Sequence, residues 1–188
     1  MRARMALKQA DILVDIRDIS LRNKPQNLLQ VSAKGTVPVL VLTNNVVLEQ
    51  SLDIMCWALQ HRDLDGWLLA DAELTQQLIT ENDGSFKHAL DCYKYPERYP
   101  KAHIADYRAQ GEVFLQKLEA LLRQSHFLLG EKMSLADIAI FPFIRQFAAV
   151  DIAWFESAPY PKLCVWLKAL STSALFENIM KKQPTYIE

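Results

Sequence analysis

Cysteine is scarce in this chain, with three among 188 residues. Cys56, Cys92 and Cys164 are odd in number and contain no C-x-x-C pair, which excludes a disulfide framework, a structural zinc site and a two-cysteine redox centre. Such usage suits a reducing cytoplasm. The histidines are also few: His61, His88, His103 and His126 are scattered, and none has a partner at ligand spacing. No metal is expected. Long apolar runs are missing as well. The longest, "IAIFPFI", is too short to span a bilayer and is interrupted by Pro142. A formal net charge of −1 gives no electrostatic basis for binding nucleic acid. The opening "MRARMALKQADI" has basic residues but neither an apolar core nor a cleavage site, so it does not read as a signal peptide. It also has no Ser, Thr, Asp or Asn to start the helix that its body suggests.

What remains is the composition of an ordinary globular protein, 51% apolar and 23% charged, long enough for one large domain or two small ones. No repeat or low-complexity tract interrupts it. The first third alternates in type. After the helical opening, "ILVDIRDI" places Ile12, Val14, Ile16 and Asp18 on one face, the pattern of a half-buried strand. "NKPQNLLQVSAKG" follows as a helix, with Pro25 at its start and Gly35 at its stop. "VPVLVL", the turn "TNN" and "VVLEQ" predict a hairpin in which Asn supplies positive φ. "SLDIMCWALQHR" predicts a helix with Ser51 as N-cap. From about Asp63 the periodicity is helical throughout, in "AELTQQLITEN", "AHIADYRAQGEVFLQKLEALLRQ", "SLADIAIFPFIRQFAAV" and "PKLCVWLKALSTSALFENIMKK". Gly66 and its acidic neighbours mark the connection between the two regions.

Three stretches carry functional content. In "GTVPVLVL", Pro38 opens a strand, where its missing N–H costs nothing. A trans Val37–Pro38 bond is the ordinary case, since about 5% of X–Pro bonds are cis. A cis bond would turn the Val37 N–H and C=O toward an extended peptide ligand. In "EQSLDI", Ser51 offers a hydroxyl beside free backbone N–H groups at a helix start, a receptor for one carboxylate. Taken alone, such a Ser more often only caps its own helix. In "KMSLADIAIFPFI", Ser134 and Asp137 have capping-box spacing, and Met133 and Ile138 are placed as a hydrophobic staple. That box is structural.

In this order and spacing, the stretches resemble the glutathione transferase superfamily along nearly the whole chain. "SAKGTVPVLVL…VVLEQSLDIMCWAL" is similar to the glutathione-binding part of its thioredoxin-like domain. The resemblance implies a cis Pro38, with the Val37 backbone pairing to the cysteinyl part of glutathione. It puts Gln50 and Ser51 on the γ-glutamyl carboxylate and Lys34 in reach of the glycyl carboxylate. It matches Ser134 and Asp137 to the capping motif of the family's helical C-terminal domain. It also implies a second-substrate pocket formed largely by that domain, for which Phe86 and Tyr93 are the candidates. The expected organisation is a thioredoxin-like α/β domain over 1–62, a linker over 63–70 and an all-α bundle over 71–188.

The pattern departs from the family at its start. The family opens with a strand and a loop bearing the Tyr, Ser or Cys that activates glutathione's sulfur, and "MRARMAL" matches the inside of the helix that follows. The expectation is therefore an incomplete first domain, with strand and loop residue upstream of Met1. The first Ser, Ser20, stands too late to replace that residue. The catalytic residue stays unassigned. The function expected is glutathione transfer to an electrophile or a mixed disulfide in the complete form. Conjugation by this chain would be weak, and the alternative is a non-catalytic glutathione-binding or interaction module. Homodimerisation and a cytoplasmic setting are implied by the same resemblance.

Overall fold

A computed structural model describes residues 1–99 and 103–186. The chain divides into two compact units, Met1–Leu64 with Ala174–Glu188, and Asp65–Ser173.

The first unit is built on helix packing. α1 (Arg2–Gln9) buries Ala3, Met5, Ala6 and Leu7, and α3 (Ser51–His61) buries Ile54, Met55, Ala58 and Leu59. Their apolar residues recur at three- and four-residue spacing, so each helix presents one continuous stripe, and α1 packs on α3. α10 (Ala174–Ile179) adds Phe176 and Ile179 against α1. α2 (Gln26–Val31) is a single short helix that starts after Pro25 and buries none of its residues. A two-stranded antiparallel sheet joins β1 (Leu40–Val41) to β2 (Val47–Leu48), with Leu40 opposite Leu48 and Val41 opposite Val47. Asn45 takes φ 63° in the connecting turn, and Leu42 N–H donates to the Val46 carbonyl at 2.8 Å. This is the hairpin expected from "TNN", with shorter strands.

Residues 12–17 are not a strand, which corrects the reading of "ILVDIRDI". The alternation is present in part: Ile12 and Val14 are half-buried, while Leu13 and Asp15 face solvent. A strand, however, exists only through pairing, and the segment makes a single isolated parallel bridge, Asp18 with Thr185.

The second unit is helical. α4 (Ala72–Glu81), capped by the Asp71 carboxylate on Leu74 N–H, runs through a π-helical turn (Asn82–Phe86) into α5 (Lys87–Lys94). A 3₁₀ turn (Pro96–Arg98) follows, then α6 (Ile104–Leu122). Ala102, where the sequence places the start of α6, lies outside the described residues. α7 (Leu135–Ala148) is buried on most sides, α8 (Ile152–Ser157) is short, and α9 (Pro161–Ser171) ends before α10. The single helix expected over "PKLCVWLKALSTSALFENIMKK" is thus two, parted at Thr172–Ser173.

Gly111 explains how closely α6 meets α7. A Cβ there would lie 2.4 Å from Phe147 Cε2 and 2.7 Å from its Cζ, inside any real contact distance. Phe147 is itself fully buried and held by Phe86 and Tyr93, with ring centroids at 5.4 and 4.9 Å. The ring has nowhere to go. Helix propensity would favour Ala by up to about 1 kcal/mol, but overpacking of this kind costs about 1–3 kcal/mol. Gly111→Ala is expected to lower stability in chemical denaturation, and an unchanged or raised midpoint would refute the close packing.

Asp137 joins three parts of this unit. Its carboxylate accepts from Leu128 N–H at 2.9 Å, Trp166 Nε1–H at 2.8 Å, and the Ser134 N–H and Oγ–H at 2.9 and 2.7 Å. The expected capping box therefore forms at Ser134, and the acid ties in α9 as well. Burial raises the Asp137 pKa above the ordinary value, the four donors opposing it only in part. A carboxyl with a raised folded pKa contributes stability at low pH that is lost as pH rises through that pKa. Removing it leaves several buried donors unpaired, each costing about 1–3 kcal/mol. Asp137→Ala is therefore expected to destabilise by about 2–4 kcal/mol. Relative to Asp137→Asn, the unsubstituted chain gains stability as pH falls through the carboxylate range; the opposite slope in pH-dependent urea melts would contradict this assignment.

Candidate glutathione site

The residues singled out for ligand binding fall around the hairpin. Leu40 pairs with Leu48, and the same register continued outward sets Pro38 across from Gln50 and Val37 across from Ser51. The entry to the hairpin and its exit into α3 therefore lie at one end. The Val37–Pro38 bond is cis, and Val37 is about half exposed, at 49%. Gln50 is the exposed N-cap residue of α3, in extended conformation with φ −113° and ψ 138°. Ser51 is half-buried and is the first helical residue, not the N-cap as the sequence suggested. No side-chain cap comes from Gln50. The first-turn N–H groups of α3 and the Ser51 hydroxyl thus stand together at the positive end of an eleven-residue helix. Asp53 in that turn already supplies one negative charge. A single carboxylate is the complement of this end.

Lys34 lies exposed in the loop after α2. The loop turns at Gly35, whose φ of +55° favours glycine, and a Cβ there would meet Leu29 Cδ2 at 3.0 Å. Gly35 N–H donates to the Ser32 carbonyl at 2.9 Å, closing the turn that carries Lys34.

Sequence reading missed the bond that ties this loop to α3. Ser32, 1% exposed, donates its hydroxyl hydrogen to Glu49 Oε1 at 2.6 Å. A Ser after one helix and a Glu before another are ordinary loop residues, and the pairing becomes visible only when the hairpin returns β2 to α2. The bond joins the segment bearing Lys34 and Val37 to the residue just before Gln50 and Ser51.

Phe86 and Tyr93 belong to the core of the second unit, 1% and 4% exposed. Phe86 stacks against Phe114 at 5.0 Å, and burial raises the Tyr93 pKa, with Arg108 opposing. Both rings are taken up by packing, which leaves neither free to wall an open pocket. The second unit has a cleft of about 320 Å³, lined by Gln116, Glu119, Ala120, Arg123, Pro159 and Tyr160. None of the predicted residues lies in it. Burial and the hydrogen bond to Glu112 push the Tyr160 hydroxyl up to about 12. Among the described residues, no group of three or more His, Cys, Asp or Glu could hold a metal ion. No helix among them is long and apolar enough to cross a membrane.

Two family models match the sequence, the glutathione S-transferase N-terminal domain over residues 1–65 and the glutathione S-transferase C-terminal domain over residues 82–174. The chain belongs to the glutathione S-transferase superfamily. It has the fold of that family, a thioredoxin-like N-terminal region followed by a helical domain. A glutathione S-transferase from Rhodospirillum rubrum F11 is 18% identical with a TM-score of 0.76, over 97% of this chain and 87% of its own. The transferase URE2P6 from Phanerochaete chrysosporium, solved with oxidized glutathione, is 16% identical with a TM-score of 0.79, over 95% and 88%. A class Gtt2 enzyme from Vibrio parahaemolyticus is 20% identical with a TM-score of 0.70, over 95% and 90%. At these identities the likeness establishes fold. No curated protein matches the sequence.

Ser32→Ala removes a buried hydroxyl from a charged acceptor. Such hydrogen bonds contribute about 1.5–3 kcal/mol, and the substitution is expected to destabilise by that amount. Equal urea midpoints for Ser32→Ala and the unsubstituted transferase would show that the bond holds nothing.

Proposed function

We propose that this glutathione S-transferase relative binds glutathione at the closed end of the hairpin. In that reading the Val37 backbone pairs with the cysteinyl unit beside Pro38, and Gln50 and Ser51 hold the γ-glutamyl carboxylate at the start of α3. Lys34 meets the glycyl carboxylate. The observation that carries the reading is the hairpin register, which brings Val37 and Ser51 to one end. The reaction proposed for the complete form is transfer of glutathione to an electrophile or to a mixed disulfide, in a cytoplasmic homodimer with the 1–62 and 71–188 division read from the sequence. No residue of this chain is assigned to activating the thiol.

A non-catalytic glutathione-binding role is the second reading. It is favoured by the absence of any Ser, Cys or Tyr from residues 1–19 and by the place of Ser20, exposed in a tight turn bridged to Asn23. Calorimetry with glutathione tests what the two readings share. A hydroxyl donated to a carboxylate contributes about 1.5–3 kcal/mol, so Ser51→Ala is expected to weaken binding about tenfold to a hundredfold. Unaltered affinity would remove Ser51 from the site. Turnover of chlorodinitrobenzene by the protein that binds would favour transfer, and binding without turnover the second reading.

A further inference from the structure

α2 is too short to hold itself. Six residues give it little more than one turn of internal hydrogen bonds, it buries none of them, and its N-cap is a Pro with no capping side chain. Yet it leads directly into the Ser32–Val37 loop. Its position must be imposed from outside. At its far end Ser32 is fixed to Glu49. At its near end Asn27 Nδ2–H donates to the hydroxyl of Tyr186 at 3.1 Å.

Tyr186 belongs to the C-terminal tail, which returns to the first unit and is held there in several ways. Thr185 forms the parallel bridge with Asp18, and Tyr186 N–H donates to the Asp18 carbonyl at 2.6 Å. The Arg17 guanidinium lies 4.9 Å from the centre of the Tyr186 ring, over its face. Asp18 in turn pairs through its carboxylate with Arg4 of α1. The ring is thus fixed from three sides, on a segment anchored to α1, and its hydroxyl is delivered to α2. A continuous line of contacts runs from α1 through Asp18, Tyr186 and Asn27 to α2, then through Ser32 and Glu49 to the start of α3.

From this line we infer that Tyr186 is a positioning residue for the glutathione site, acting through Asn27 to hold α2 and the loop carrying Lys34 and Val37. The inference rests on the proposed binding of glutathione at that loop. Tyr186 touches no ligand; it reduces the number of arrangements α2 adopts before one binds. Loss of its hydroxyl therefore lowers the fraction of molecules with the loop in place, and affinity falls in proportion.

The test uses the full chain, with glutathione titrated by calorimetry and amide hydrogen exchange followed across residues 26–35. One neutral hydrogen bond corresponds to about a threefold to tenfold change in an equilibrium. Tyr186→Phe keeps the ring over Arg17 and is expected to weaken glutathione by that factor. Exchange of the α2 amides should quicken by a similar factor while the thermal midpoint stays put. Asn27→Ala should weaken binding as well, and Tyr186→Phe in that background should add nothing, since the contact is already gone. A general loss of stability would instead move the midpoint and make the two substitutions additive, and that result would overturn the inference. Binding weakened by Ser51→Ala but not by Tyr186→Phe would overturn it while leaving the site in place. Failure of the unsubstituted chain to bind glutathione would remove the site and the inference together.

Discussion

A backbone group that leaves water must find a partner, and the first unit meets that requirement with very little sheet. Its ladder is two residues per strand. Helices α1, α3 and α10 satisfy their own backbones and make the apolar core, but they do not fix the loops that matter for binding. Side-chain hydrogen bonds do that: Ser32 on Glu49, Asn27 on Tyr186, and the Arg4–Asp18 pair. The order of the ligand-facing loop therefore depends on a few polar contacts and not on a sheet running through it.

The second unit solves the same problem differently. Its helices bury broad apolar surfaces, and polar groups enter the core only where one acceptor can serve several donors. Asp137 does so for Leu128, Ser134 and Trp166, and Glu119 accepts from Leu163 N–H and Arg123 on its two oxygens. Each carboxylate links elements distant in sequence. The cost of burying the charge is visible in the raised pKa of Asp137.

Much of this was legible in the sequence because the signals are local. The hairpin with Asn45 at positive φ, the box at Ser134 and Asp137, and the helical run after Asp63 each follow from the residues in place. Val37, Gln50 and Ser51 could be singled out because strand entries and helix starts have their own chemistry. What was not legible is non-local. "ILVDIRDI" has the alternation of a strand, but alternation reports which face is apolar and not whether a partner is beside it. Phe86 and Tyr93 are aromatic residues in a polar segment, and only the rings of Phe114 and Phe147 show that they point inward. Ser32, Glu49, Asn27 and Tyr186 carry no motif, and their roles arise from pairings across 17 and 159 residues.

The π-helical turn at Asn82–Phe86 has a consequence for how this segment tolerates change in length. A π-turn contains one more residue than the α-turn it replaces, so it behaves as a single-residue insertion absorbed without breaking the helix. Deleting one residue there would restore a plain α-helix and turn everything after it by about 100°. Ala89, Leu90 and Cys92 would leave the core and Lys87 and Asp91 would rotate toward it. Gly84, where an added Cβ would meet no heavy atom within 4 Å, has room for almost any side chain, but its place in the count is fixed. At this point in the chain, the identity of a residue is freer than its presence.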